Sequence, residues 1–118
     1  MNLQEQIRRA VGSHGLWKTR LRTAIDTGKS DVTTTTARDD RRCELGRWLQ
    51  ELDAEARKAA SCQRCQGLHR EFHQEAANVL SLALEGKKQE AKKSLEAGHF
   101  AKLSAELTRA MMAWMGQA

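Results

Sequence analysis

The first core-type positions of the chain step Leu3, Ile7, Ala10, His14, Trp17, Leu21, Ala24. Alternation by four and three is the seam of an amphipathic helix packed in a bundle. The pattern predicts a first helix that starts at Leu3, turns His14 inward and stops near Gly28, a residue suited to a helix C-terminus. Residues 29–42, "KSDVTTTTARDDRR", hold four consecutive threonines and no helical period, and read as an extended crossover over the bundle surface. "CELGRWLQEL" follows as a short helix with Leu45, Trp48, Leu49 and Leu52 on one side, and Gly46 in it marks a close backbone approach to a neighbour. From about residue 61 to 85 a longer helix places His69, His73, Ala76, Leu80 and Ala83 on its seam. Gly86 closes it, "KKQEAKKSLEA" forms a polar helix ending at Gly98, and Phe100, Leu103, Leu107, Ala110 and Trp114 supply the last seam.

The expected fold is therefore all-α, an antiparallel four-helix-bundle-like domain with an additional short helix that carries the cysteine. Composition agrees: there is no proline and no tyrosine, 30% of residues are charged and 40% hydrophobic. A chain of 118 residues fits one domain spanning 1–118. No apolar run approaches the ~18 residues of a membrane span, and the polar start "MNLQEQIRRA" has no signal-like core, so a soluble, cytoplasmic protein without membrane insertion is expected. The net charge of +5 does not mark a nucleic-acid binder, because "ELDAEARK" and "EGKKQEAKKSLE" interleave bases with acids as solvated helix faces do.

Chemistry enters through the histidines. "HREFH" sets His69 and His73 one turn apart on one helix face, where both can reach a single ion. With His14, three imidazoles fall on core seams, and each needs partners for its ring nitrogens or is destabilising there. One metal ion would satisfy all three together, whereas His99, beside a glycine at a helix boundary, reads as an exposed or capping residue. Three histidines leave one tetrahedral position for zinc, which a thiolate fills well. Cys62 and Cys65 offer a linear set with His69 and His73, but on one straight helix Cys62 and His73 lie ~16 Å apart, too far to share an ion. Cys43, on a separate short helix, is free to approach from another direction and is the expected fourth ligand.

The segments "HGLWKTRLRTAI", "RDDRRCELGRWL" and "HREFHQEA" together resemble the chemoreceptor zinc-binding domain family. Its pattern is a histidine on the first helix, a cysteine motif with a following glycine and tryptophan, and H-x3-H on a later helix. The resemblance runs from about residue 11 through "FAKLSAEL"; the glutamate at position 44 and the extra Cys62 and Cys65 depart from the pattern. It implies zinc ligation by His14, Cys43, His69 and His73, the set the seams select. It further implies a bacterial sensory domain that reports zinc, or oxidants acting at Cys43, to a signalling output of chemoreceptor or diguanylate cyclase type.

A four-ligand site is closed, with no position for a catalytic water, and no nucleophile with an adjacent base appears elsewhere, so an enzyme is not expected. Trp17, Asp40, Gly46 and Trp48 are the residues expected to support or pack around the ligands, with Asp39 and Asp40 serving the loop rather than acid–base chemistry. A purely structural zinc-stabilised oligomerisation module is the alternative. A homodimer is expected because Leu103, Leu107, Met111 and Trp114 offer more apolar surface than one short bundle needs to bury.

Overall fold

Asn2 opens the first helix, α1 (Leu3–His14), by accepting a hydrogen bond from the backbone N–H of Glu5 at 2.8 Å. The computed structural model describes residues 2–117, and the regular elements among them are all helical. The single first helix read from the seam is two: α1 ends at His14 and α2 (Leu16–Thr27) follows after Gly15. Gly15 keeps helical dihedrals (φ −60°, ψ −23°) and its N–H reaches the Val11 carbonyl at 3.2 Å, so the seam carries straight across the interruption. Ile7, Ala10, His14, Trp17, Leu21 and Ala24 are all buried. Gly28 ends α2 in the left-handed region (φ 72°), its N–H on the Ala24 carbonyl at 2.8 Å.

The crossover is not wholly extended. Its threonines form a one-turn helix, α3 (Thr34–Arg38). Thr33 supplies the cap, accepting from the Thr36 N–H at 3.1 Å, and Ala37 is buried where α3 packs on the long helix. Threonine is a poor helix interior residue but a good cap, and docking decides the outcome. Cys43 then caps α4 (Glu44–Glu51), and Asp53 caps α5 (Ala54–Lys58), a short turn of helix that the hydrophobic pattern does not announce.

The long helix α6 (Ala60–Leu84) lies at the centre, packed against α2, α3, α5, α7 (Lys88–Ala97) and α8 (His99–Gln117). A Schellman turn joins α6 to α7: Gly86 (φ 80°) donates to Ala83 at 3.2 Å and Lys87 to Leu82 at 2.9 Å. The result is an all-α, bundle-like packing of helices, 45 × 23 × 20 Å. No helix among the described residues is long and apolar enough to cross a membrane. Leu103, Leu107, Met111 and Trp114 are consumed inside the chain, Trp114 lying 5.4 Å from the Trp48 ring of α4. Among the described residues the exposed large hydrophobics are Leu16, Leu84 and Met112.

The close approach read from Gly46 is present: a Cβ there would run into the Asp40 carbonyl oxygen and the Arg41 Cα. Gly46→Ala should destabilise the protein by about 1–3 kcal/mol through overpacking against backbone. By contrast Gly67→Ala, at an exposed position inside α6 with open space around it, should stabilise it by about 0.5–1 kcal/mol. Urea unfolding of the two variants checks both signs, and a Gly46→Ala midpoint at or above wild type contradicts the packing described.

Candidate metal centre

Four side chains from three helices meet at one point. His14 is the last residue of α1, Cys43 is the cap of α4, and His69 and His73 lie one turn apart on the inner face of α6. One ligand atom from each falls within 4.8 Å of all the others. The Cys43 Sγ sits 3.1 Å from His69 Nε2, and the imidazole centroids of His69 and His73 are 4.6 Å apart. His69 and His73 are 1% and 0% exposed, His14 8%, while Cys43 is half-buried.

The hydrogen-bond arrangement is incomplete in one direction only. His73 Nδ1 lies 2.8 Å from the Ala37 carbonyl oxygen, which can only accept, so the proton belongs on Nδ1 and the Nε2 lone pair points elsewhere. That Nε2, and the Nε2 of His14, are buried with no hydrogen-bond partner. Two orphaned nitrogens beside a thiol and a third imidazole are what a shared cation would satisfy, and three neutral nitrogens with one sulfur are a donor set suited to zinc.

Electrostatics favour the same state. Burial holds His14 well below the usual histidine value, reinforced by His69 and His73, and drives His69 down to about 3, with His73 adding to the shift. His73 is lowered by burial too, opposed by its bond to Ala37 and the carboxylates of Asp40 and Asp39. All three are neutral at physiological pH, the form that ligates metal. Burial pushes the Cys43 thiol up, against the pull of the Gly46 and Leu45 N–H groups, so the thiolate needs a cation beside it.

The expected supporting residues act in different ways. Trp17 stands edge-on to His73 at 5.2 Å. Gly46 donates its N–H to the Cys43 sulfur at 3.3 Å and lets the backbone of Asp40 and Arg41 pass. Asp40 meets that sulfur through its carbonyl, at 4.0 Å. Trp48 makes no ring contact with the imidazoles and instead stacks α4 on α8 through Trp114. Asp39 fastens the loop, accepting from the Arg41 N–H at 3.0 Å and Arg42 Nε at 3.1 Å. Two neighbours went unread in the sequence: Phe72, whose ring lies 4.0 Å from that of His14, and Ala37, whose contribution is a carbonyl. Phe72 sits between the two histidines in "HREFH", and the Ser/Thr-rich cap before Ala37 was the available signal for α3. Cys62 and Cys65 are free, buried thiols further up α6 and are not in the cluster; His99 is exposed at the start of α8. A groove of about 670 Å³, lined by Arg9, Trp17, Arg20, Arg42 and Trp48 among others, opens onto Cys43.

The chemoreceptor zinc-binding domain family matches residues 14–80, and the chain belongs to it. The match spans all four clustered residues but stops short of α7 and α8, so it is narrower than the resemblance read along the sequence. No curated protein and no solved structure matches the chain.

The three depressed histidines fix the sign of an acid response in the metal-free protein. Above about pH 6.5 these residues are neutral folded or unfolded and contribute no pH dependence. Below it the unfolded chain takes up protons that the buried site refuses, so stability falls as pH drops from 6.5 towards the folded values, by at most about 1.4 kcal/mol per pH unit for each histidine. Urea unfolding in the presence of a chelator should show this loss between pH 7 and 5, and the triple His→Gln variant should show much less of it. Stability that is flat or rises on acidification contradicts burial of these imidazoles in neutral form.

Proposed function

We propose that this chain is a zinc-binding sensory or regulatory domain of bacterial signal transduction, with one Zn2+ held by His14, Cys43, His69 and His73. The observation that carries the reading is the pair of orphaned, buried Nε2 atoms on His14 and His73, two members of a cluster that also holds a third imidazole and a thiol. Family membership supports the same ligand set. The ion supplies the positive charge that keeps Cys43 a thiolate inside the protein. Four protein donors make a closed site, which serves regulation rather than hydrolysis.

In this reading the helices form an antiparallel four-helix bundle, one domain in all, with α4 as the movable piece. The groove gives small oxidants a path to Cys43. Peroxide oxygen transferred to the thiolate yields a sulfenate and water, which weakens the metal–sulfur bond and frees the cap of α4. The domain acts in the cytoplasm, as a homodimer, on a chemoreceptor- or diguanylate-cyclase-type output.

The test has two parts. Metal analysis of purified protein should give one zinc per chain, with Ala at position 14, 43, 69 or 73 sharply reducing it and the double change Cys62→Ala, Cys65→Ala leaving it intact. Near-stoichiometric hypochlorous acid or peroxide should modify Cys43 and shift tryptophan fluorescence through Trp48, and Cys43→Ala should abolish the shift. Zinc lost in the double mutant but kept in Cys43→Ala refutes the ligand assignment; Cys62 and Cys65 oxidised first while Cys43 stays reduced refutes the redox role. A chelator that unfolds the whole chain, with no folded metal-free state, would favour a purely structural zinc module.

A further inference from the structure

His73 offers its two nitrogens to different partners. Nε2 is buried without a hydrogen-bond partner, and Nδ1 meets the Ala37 carbonyl at 2.8 Å, 36 residues away in the chain. The carbonyl is available because α3 stops where it does. In a continuing helix the Arg41 N–H would bond Ala37, but Asp39 takes that N–H at 3.0 Å, and the Asp39 N–H itself turns back to Thr36 at 3.2 Å. The Ala37 carbonyl is thereby left to an outside donor, and His73 is that donor.

We propose that the Ala37 carbonyl, presented by the threonine helix, is a positioning group of the metal centre that fixes His73 as the Nδ1–H tautomer and sets the direction of its Nε2. This rests on the zinc-binding reading above. It also gives "TTTT" a purpose. A five-residue helix has no stability of its own; α3 is held by the Thr33 cap, by the Thr33–Thr36 hydroxyl contact at 3.1 Å, and by Ala37 at 0% exposure against α6. A small residue is required at position 37, because a side chain as large as leucine lifts α3 off α6 and carries the carbonyl with it. Hydrogen bonds of this kind from ligating imidazoles orient the ring and raise its basicity, and their loss weakens metal affinity about 10- to 100-fold.

The test compares Ala37→Leu, Ala37→Ser and Thr33→Ala in the full chain, with zinc affinity measured by chelator competition and the His73 ring nitrogens followed by NMR. Ala37→Ser, which keeps the carbonyl in place, should bind zinc within about twofold of wild type. Ala37→Leu should lose about 10- to 100-fold in affinity and the slowly exchanging Nδ1 proton of His73, with helical content retained. Thr33→Ala should change both readouts in the same direction by a smaller amount, and it decides the matter if Ala37→Leu does not fold. Wild-type affinity in Ala37→Leu or in Thr33→Ala, or a His73 proton found on Nε2 in the metal-free wild type, overturns the proposal. A wild-type chain that binds no zinc defeats the metal reading instead, and the tautomer of His73 in that chain still decides the positioning role on its own.

Discussion

Burying three imidazoles and a thiol at one point is the constraint on which the rest of the structure depends. Each group loses water on entering the core, and two of the three rings recover no hydrogen bond for the nitrogen that faces inward. Such a cluster is costly in an empty core and favourable around a cation, so the helices are arranged to serve it. The chain ends α1 at His14, begins α4 at Cys43, and sets α6 in the register that turns His69 and His73 inward with Phe72 between them. Depressed histidine basicity and a raised thiol are two faces of the same dehydration.

Support for the cluster is unevenly distributed. On one side α6 packs on α7 and α8 through large, fully buried side chains such as Phe72, Phe100, Leu80 and Leu107. The Glu75–Ser94 hydrogen bond at 2.8 Å, with the Phe100 N–H on the same serine at 3.3 Å, ties the α7–α8 corner to α6. Phe72 alone of these four is placed against the ligand rings, 4.0 Å from that of His14 and 5.6 Å from that of His73. On the other side the crossover and α4 are held by Ala37, Leu45 and Leu49 in the core with Val32 and Leu52 packed against it, by Gly46 against the Asp40–Arg41 backbone, by Trp48 on Trp114 and by the Arg9–Glu44 ion pair at 2.7 Å.

Much of this was legible in the residue pattern. The four-and-three seam placed the helices and pointed His14, His69 and His73 inward, and helix rise alone separated Cys62 from His73. Gly46 announced its contact because only a missing Cβ lets another backbone so close. The interruption at Gly15 was hidden because its dihedrals stay helical and leave the seam in phase. The threonine helix was hidden for the opposite reason: β-branched residues argue against helix, and a cap plus the burial of one alanine overrules them. Ala37 could not be read as a functional residue because its contribution is a backbone carbonyl, which every residue has. The apolar seam of α8 looked excessive because Trp48 and α1, its partners in space, are distant in sequence.

The central claim is that one ion joins three helices through three nitrogens and one sulfur. X-ray absorption at the zinc edge of the loaded protein tests it most directly. The expected first shell is three nitrogen scatterers at about 2.0–2.1 Å and one sulfur at about 2.3 Å, with the sulfur lost in Cys43→Ala. A shell with two sulfurs, or one with oxygen in place of sulfur in the wild-type protein, would contradict it.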